Sequence, residues 1–179
     1  MPDAESQLIV RVLLDGDHAA FGELVRQHQS SVRNFLRHLT RADAATADDL
    51  AQETFLRAFR SLSAYRGDSS FSTWLLGIAY NQWRNARRRR RDETPLDHNA
   101  AELTTPATDR ASDLRADLST ALRGLSANEQ LAVHLAYQQG LAHPEIATLT
   151  GWPLGTVKTH LARGKDKLRV LLSAWNPAS

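Results

Sequence analysis

The sequence has no cysteine, and its 179 residues include one methionine, six prolines and nine glycines. The lack of cysteine excludes disulfides, thiol nucleophiles, iron–sulfur clusters and cysteine-based zinc sites. No apolar run approaches the roughly 20 residues that a membrane-spanning helix needs, and the first residues lack the positive start and apolar core of a signal peptide. A composition of 42% hydrophobic and 23% charged residues is typical of a globular chain. We therefore expect a soluble, cytoplasmic protein with one domain or two small ones.

The formal net charge is only +2, but the charges are unevenly distributed along the chain. Residues 1–91 carry 14 arginines against ten acidic residues, residues 92–112 have a net charge of −4, and residues 113–179 have a net charge of +2. In both outer segments the positive charge is concentrated at the C-terminal end. Two basic ends separated by an acidic segment favour two separate contacts with a polyanion.

Residues 1–91 have the apolar spacing of helices and no alternation of the kind that strands show. One helix is predicted from a turn and N-cap at residues 15–17 to Leu39. A second is predicted to start near Thr46, which forms a weak capping pattern with Asp49. That helix continues to about residue 62, and its predicted core positions are Ala51, Phe55, Ala58, Phe59 and Leu62.

Residues 92–112 are polar, rich in threonine and proline, and without periodicity, which is the composition of a linker. Helical spacing then resumes, and Ser126 with Glu129 forms a capping box that opens a further helix. We therefore predict an all-α chain of two small helical domains, residues 1–91 and 113–179, joined by a flexible acidic linker.

The end of the second domain has the pattern of a helix-turn-helix, with two helices joined by a short turn that contains glycine. The residues predicted to pack inward are Ile146, Ala147, Leu149, Val157 and Leu161. A helix fits the major groove, and its first residues reach base edges there. The residues predicted to face the groove are Thr156, Lys158, Thr159, His160 and Arg163, and those predicted to contact phosphates are Lys165, Lys167 and Arg169. The alternative is a solvated basic helix on an ordinary bundle.

A third predicted helix of the first domain begins near Phe71 and combines aromatic residues with arginines. On a helical wheel Phe71, Trp74, Leu75 and Ile78 form a stripe with a buried pattern, whereas Leu76, Tyr80, Trp83 and Arg87 lie on another face, with Arg84 nearby. Aromatic rings next to arginines can stack unpaired bases while the cations hold the backbone. The alternative is that the aromatic rings belong to the core and the arginine run is solvated.

An acidic stripe lies on the second predicted helix, where Asp49 and Glu53 are spaced i, i+4, with Gln52 and Leu56 on the same surface. Three interpretations are open: a solvated face, a metal or acid–base site that also uses Asp48, and a docking surface for a basic protein. The seven histidines are scattered, and the sequence has no phosphate-binding glycine loop and no nucleophile motif. We therefore predict neither enzymatic activity, nor a metal, nor a cofactor.

Three motifs together are similar to those of one known family. They are Asp48-Asp-Leu-Ala-Gln-Glu-Thr-Phe-Leu-Arg-Ala-Phe59, the segment 71–81 and the segment 145–158. In order and spacing they resemble the extracytoplasmic-function sigma factors of bacterial RNA polymerase, over roughly residues 8–91 and 113–172. His160 stands where an arginine is common in that family.

The resemblance implies a sigma factor that binds core RNA polymerase, directs it to promoters and helps melt the minus-ten element. It assigns binding of the polymerase β′ clamp helices to Asp49, Gln52 and Glu53, with Leu56 on the same surface. It assigns the minus-ten element to Arg66, Trp74, Tyr80, Asn81, Trp83, Arg84, Arg87 and Arg88. It assigns the minus-thirty-five element to Lys158, Thr159, His160 and Arg163, to which the pattern of the recognition helix adds Thr156 and Lys165.

Further partners follow from the same resemblance, namely promoter DNA, the flap of the polymerase β subunit and an anti-sigma factor, without a small-molecule substrate or insertion into a membrane. Two alternatives remain at this point. One is a LuxR-type helix-turn-helix activator that binds duplex DNA without core polymerase. The other is a metal-dependent enzyme built on the acidic stripe.

Overall fold

The computed structural model describes residues 4–41, 43–93 and 121–173, and these ranges contain helices and no strand. The chain divides into two compact units, residues 1–101 and 102–179. The all-α prediction is therefore confirmed for the described residues. Most of the predicted linker lies outside them, so its bounds stay a prediction.

The first unit contains four α-helices: α1 (Ala4–Asp15), α2 (His18–Leu39), α3 (Ala44–Ser61) and α4 (Phe71–Glu93). A short 3-10 turn, Leu62–Ala64, follows α3. Helices α2, α3 and α4 pack against one another, and α1 packs on α2. The largest fully buried side chains of this unit include Leu24, Phe35, Leu36, Leu62, Phe71, Leu75 and Leu76.

Helix α1 was not predicted from the sequence. Its buried residues are Ile9 and Val12, and Glu5 Oε1 lies 2.7 Å from His28 Nε2 of α2. These contacts fix α1 to α2 through one apolar seam and one polar pair.

The start of α3 corrects the prediction of a helix that begins at Thr46. The N-cap is Asp43, whose Oδ1 accepts a hydrogen bond from the Thr46 amide at 3.1 Å and whose Oδ2 accepts one from the Thr46 hydroxyl at 2.6 Å. These hydrogen bonds, the hydroxyl one first, lower the pKa of the exposed Asp43 carboxyl. Thr46 therefore occupies the third helical position, and the capping pattern with Asp49 was wrong.

The buried stripes of α3 and α4 also differ from the predicted ones. In α3 the buried side is formed by Ala47, Ala51, Thr54 and Ala58, whereas Phe55 and Phe59 are half-buried. In α4 the residues Leu76, Ala79 and Tyr80 are buried together with Phe71 and Leu75, and Ile78 is half-buried. The reason is that α4 packs against both α2 and α3, so that two adjacent faces of the helix are covered.

The second unit contains α5 (Ala127–Val133), α6 (His143–Thr150) and α7 (Leu154–Ser173). The predicted capping box is confirmed: the Glu129 amide donates to Ser126 Oγ at 3.3 Å, and the Ser126 amide donates to Glu129 Oε2 at 2.8 Å. A π-helical turn, His134–Gln138, extends α5, and Gly140 adopts a positive φ of 69° where the chain turns towards α6.

Helices α5 and α7 approach closely at Gly164. A Cβ atom added there would lie 2.9 Å from Cγ2 of Val133 and 3.4 Å from Cδ2 of Leu125. Nearby, Lys167 Nζ donates to Glu129 Oε2 at 2.7 Å, and this bond, first among several causes, lowers the pKa of the buried Glu129 carboxyl. Close backbone packing and one ion pair thus hold α7 on α5.

Candidate nucleic-acid interface

Helices α6 and α7 form the predicted helix-turn-helix. Gly151, with φ of 73°, ends α6 in the left-handed conformation that favours glycine. The Pro153 carbonyl accepts the amides of Thr156 at 2.9 Å and Val157 at 3.1 Å, which opens the first turn of α7. Val157 is fully buried and Leu161 nearly so, as predicted. One side of α7 is thereby fixed against the unit, and the other side is available for contacts.

The outward side of α7 carries most of the residues predicted to read DNA. Lys158, Thr159, Arg163 and Lys165 are exposed, and Thr156 and His160 are half-buried. The His160 ring is packed against a residue that the sequence analysis missed, Trp152 of the turn, with ring centroids 5.0 Å apart.

Two of the predicted phosphate contacts have partners within the unit. Lys167 binds the Glu129 carboxylate at 2.7 Å, and Arg169 Nη2 binds Asp166 Oδ1 at 2.9 Å. The first pair holds α5 and α7 together, because the Glu129 side chain is only 6% exposed. Lys165 is exposed on the same helix, so it is better placed than Lys167 to meet a phosphate.

A stack of side chains occupies the second half of α4. The rings of Tyr80 and Trp83 have centroids 5.6 Å apart, and the Arg87 guanidinium carbon lies 5.5 Å from the centroid of the Trp83 ring. Tyr80 is only 6% exposed, and burial raises the pKa of its phenol, against the opposing charges of Arg84 and Arg87. Tyr80 therefore lies in the core and supports Trp83, whereas Arg84, Arg87 and Arg88 are exposed.

A second aromatic cluster braces the loop between α3 and α4. The Tyr65 ring lies 5.5 Å from that of Phe71 and 5.4 Å from that of Trp74. The Tyr65 hydroxyl donates to the Ser69 carbonyl at 2.8 Å, which closes the loop on itself. Sequence reasoning missed Tyr65, although an aromatic residue beside a glycine turn is a signal for such bracing. Arg66 in the loop and Asn81 in α4 are exposed.

The acidic stripe of α3 lies on the surface of the first unit. Asp49, Gln52, Glu53 and Leu56 are all exposed, with Leu56 at 52%. The neighbouring Asp48 is half-buried and forms an ion pair with α2, since its Oδ1 lies 3.4 Å from Nε of Arg33. The structure thus brings four predicted residues together on one helix face.

An apolar groove of about 570 Å³ lies between α2 and α3 beside this stripe. Its lining includes Phe21, Val25, Phe55, Leu56 and Phe59. Gln52 and Leu56 belong both to the groove and to the stripe, so the exposed face of α3 combines acidic, polar and apolar side chains.

The metal interpretation of the acidic stripe gains no support from the described residues. In these parts of the chain, no group of three or more histidine, aspartate or glutamate side chains is arranged to hold a metal ion. Among the same residues, no helix is long and apolar enough to span a bilayer.

Comparison with known proteins places both units in one family. The family model described as Sigma-70 region 2 matches residues 24–93, and the one described as Sigma-70, region 4 matches residues 115–168. The first covers α3, α4 and most of α2, and the second covers the helix-turn-helix up to most of α7.

Whole-chain relatives agree with the family models. The chain is 31% identical to the RNA polymerase sigma-H factor of Pseudomonas aeruginosa over 180 residues, covering 93% of this chain and 92% of that protein. It is 30% identical to the ECF RNA polymerase sigma-E factor of Escherichia coli K12, covering 90% and 91%. Among solved structures, CnrH in complex with the cytosolic domain of CnrY is similar, with a TM-score of 0.67, 26% identity, and coverage of 96% of this chain and 99% of that one. The chain therefore belongs to the sigma-70 family, as an RNA polymerase sigma factor of the extracytoplasmic-function group.

Proposed function

We propose that this sigma factor attaches to core RNA polymerase through the exposed face of α3 and contacts promoter DNA through α4 and α7. The residues proposed to bind polymerase are Asp49, Gln52, Glu53 and Leu56. RNA synthesis itself belongs to the polymerase, and the chain supplies promoter choice without a substrate of its own. The observation that carries the proposal is the exposure of these four side chains on a helix whose opposite side is buried.

The chemistry of the α3 face suits a basic protein surface with an apolar centre. Asp49 and Glu53 lie one helical turn apart, so their negative charges point to the same side. Leu56 is half exposed in the free chain, and burying it against a partner gains free energy from removing apolar surface from water. The adjoining groove extends this apolar surface.

A charge reversal tests the α3 interface. We expect the Asp49→Lys, Glu53→Lys double variant to lose co-purification with core RNA polymerase, because two attractive charges become repulsive ones. Asp15→Lys is the control for a single charge reversal, and it makes that change at the exposed end of α1. Co-purification of the double variant at the level of the unchanged chain would contradict the proposal, provided that circular dichroism shows both variants to be folded.

We propose that α4 and the loop before it hold the opened minus-ten element. The residues assigned to this contact are Arg66, Trp74, Tyr80, Asn81, Trp83, Arg84, Arg87 and Arg88. Base stacking on an aromatic ring contributes about 1–3 kcal/mol per base. The Trp83 ring also makes a cation–π contact with the Arg87 guanidinium. The buried Tyr80 ring packs against the Trp83 ring and holds it in place. The exposed arginines are proposed to contact the phosphates of the strand.

We propose that α7 reads the minus-thirty-five element in the major groove. The residues assigned to it are Thr156, Lys158, Thr159, His160, Arg163 and Lys165. The first turns of the helix face base edges, as in other helix-turn-helix units. Lys165, further along α7, is assigned to a phosphate.

We further propose a division into residues 1–91, a linker of residues 92–112, and residues 113–179. A linker of that length can span at most about 70 Å when fully extended, enough to connect contacts at two promoter elements. CnrH was solved with the cytosolic domain of CnrY, and we propose that an anti-sigma factor binds this chain as well, in the cytoplasm. The β flap of polymerase is the proposed partner of the second unit.

The LuxR-type alternative is not favoured. Its helix-turn-helix would account for the second unit alone, whereas residues 24–93 match Sigma-70 region 2. Relatives that are sigma factors align over nine-tenths of the chain.

A further inference from the structure

The outward side of α7 includes a ring pair that joins the turn to the recognition helix. Trp152 lies in the turn after α6, and its ring centroid is 5.0 Å from that of His160, with the two ring planes 58° apart. Both residues are half-buried. The pair therefore connects the backbone of the turn to a side chain almost two helical turns into α7.

The backbone of Trp152 is fixed on both sides. Before it, Gly151 has the positive φ of 73° that ends α6, and the Trp152 amide donates to Thr150 Oγ1 at 3.3 Å. After it, Pro153 has a φ restricted by its ring, and its carbonyl accepts two amides of α7. Thr150 itself is buried and donates to the Ile146 carbonyl at 2.6 Å. The indole thus projects from a rigid turn.

A histidine on a helix surface has several side-chain rotamers available. The Trp152 indole occupies space beside His160, so the His160 rotamers that would place the imidazole in that space are excluded by steric overlap. A side chain that is already oriented loses less conformational entropy when it binds. The imidazole is also short and makes one hydrogen bond in a given direction, so its orientation matters more than that of a long arginine.

We propose that Trp152 is a positioning residue for His160, and that the pair reads one base pair of the minus-thirty-five element. A ring N–H of His160 donates to a purine edge in the major groove, with guanine preferred because its N7 and O6 both accept. This inference rests on the proposed function of α7. It adds Trp152 to the residues that determine promoter specificity, and it identifies a purine as the base that His160 contacts.

A purely structural role for Trp152 has a different signature. If the indole only filled the turn, its loss would destabilise the unit and weaken binding to all DNA sequences alike. If it positions His160, its loss changes the preference at a single base pair, and at the one that His160 itself reads.

The test uses holoenzyme reconstituted from core RNA polymerase and the full chain, with promoter fragments whose minus-thirty-five element is randomised. We expect His160→Ala to lower the preference at one base pair by about fivefold. Trp152→Leu, which keeps apolar volume in the turn but removes the ring, should lower the preference at the same base pair. Trp152→Phe should restore most of it, and the Trp152→Leu, His160→Ala double variant should lose no more than His160→Ala alone.

Lys165→Ala serves as the comparison for a contact without sequence preference, because it should weaken binding to every fragment equally. The inference is overturned if Trp152→Leu leaves the preference of His160 intact, if the two variants affect different base pairs, or if Trp152→Leu acts as uniformly as Lys165→Ala. It is also overturned if His160→Ala changes no preference. If the unchanged holoenzyme shows no preference anywhere in the element, the proposed function of α7 has failed instead.

Discussion

Gly164 sets the distance between α5 and α7 because it has no side chain. We expect Gly164→Ala to lower the free energy of unfolding of the second unit by about 1–2 kcal/mol. Overpacking costs about 1–3 kcal/mol, and a Cβ 2.9 Å from Val133 Cγ2 forces Val133 or the helix to move. The better helix propensity of alanine returns less than about 1 kcal/mol. Urea unfolding monitored through amide signals of α5 and α7 measures the change.

Gly155→Ala is the matched control on the same helix. A Cβ at Gly155 meets no atom within 4 Å, so the variant should be neutral or more stable by about 0.5–1 kcal/mol. Equal losses at both glycines would show that the close approach to Val133 is not the cause.

At the scale of single residues, the sequence predicts exposure better than it predicts partners. Asp49, Glu53 and Leu56 were placed on one outward face because i, i+3 and i+4 spacing determines which side chains share a helix face, and the structure shows them exposed. Lys167 was assigned to phosphate, but its ion pair with Glu129 joins residues 38 positions apart. Helical spacing carries no information about a contact between two separate helices.

At the scale of helices, caps were predictable where the acceptor stood alone before a helix. Asp17, whose side chain accepts from the Ala20 amide, and Ser126 were both recognised. Asp43 was not predicted as the N-cap of α3, because Thr46 and Asp49 have the spacing of a capping box that would begin three residues later. Helix α1 was missed for another reason: its apolar residues are not confined to one face, since Val10, Leu13 and Leu14 are exposed, and this blurs the helical period.

The capping box of α5 makes the stability of the second unit depend on pH. The pKa of Glu129 is lowered from its ordinary value of 4.5, first by the hydrogen bond from Lys167. Its charged form therefore stabilises the fold above about pH 4.5, and this contribution is lost as pH falls through the lower folded-state pKa. We expect unfolding experiments between pH 7 and 3 to show that the stability advantage over Glu129→Gln shrinks below about pH 4.5.

Ser126→Ala separates the cap from the ion pair. It should cost about 1 kcal/mol at neutral pH and keep most of the pH dependence, because the Glu129–Lys167 pair remains. A constant difference between the unchanged chain and Glu129→Gln across the whole pH range would show that the carboxylate charge does not stabilise the unit.

At the scale of the whole molecule, the uneven charge distribution predicts binding that is sensitive to salt. Each neutralised phosphate of duplex DNA contributes about −0.9 to the slope of log affinity against log salt concentration. We expect Lys165→Ala to reduce the magnitude of this slope for holoenzyme binding by about 1, without lowering stability, because Lys165 is exposed. Promoter binding measured over a series of salt concentrations gives the slope.

Lys167→Ala is the matched comparison, two residues further along the same helix. It should leave the salt slope unchanged and lower the stability of the second unit by about 1 kcal/mol, because it removes the half-exposed cation from the buried Glu129 carboxylate, which keeps its hydrogen bond from the Ser126 amide. The opposite result, a smaller slope for Lys167→Ala and none for Lys165→Ala, would reverse the two assignments.

The division into two units was predictable from composition, because the polar, aperiodic segment separates two stretches with helical period. The groove between α2 and α3 was not. The sequence predicted Phe55 and Phe59 as core residues, but both line the groove and are partly exposed. Their exposure depends on how α2 and α3 pack together, and the residue spacing within one helix does not specify that packing.

The stack of Tyr80, Trp83 and Arg87 exists before any nucleic acid arrives. Under the proposed role of Trp83, ordering these side chains adds little to the free-energy cost of capturing a strand, which is then set mainly by unpairing the DNA. The speed with which this sigma factor opens a promoter should then follow the ease of melting of the sequence upstream of the start site, and mutations that loosen the stack should slow every promoter by the same factor.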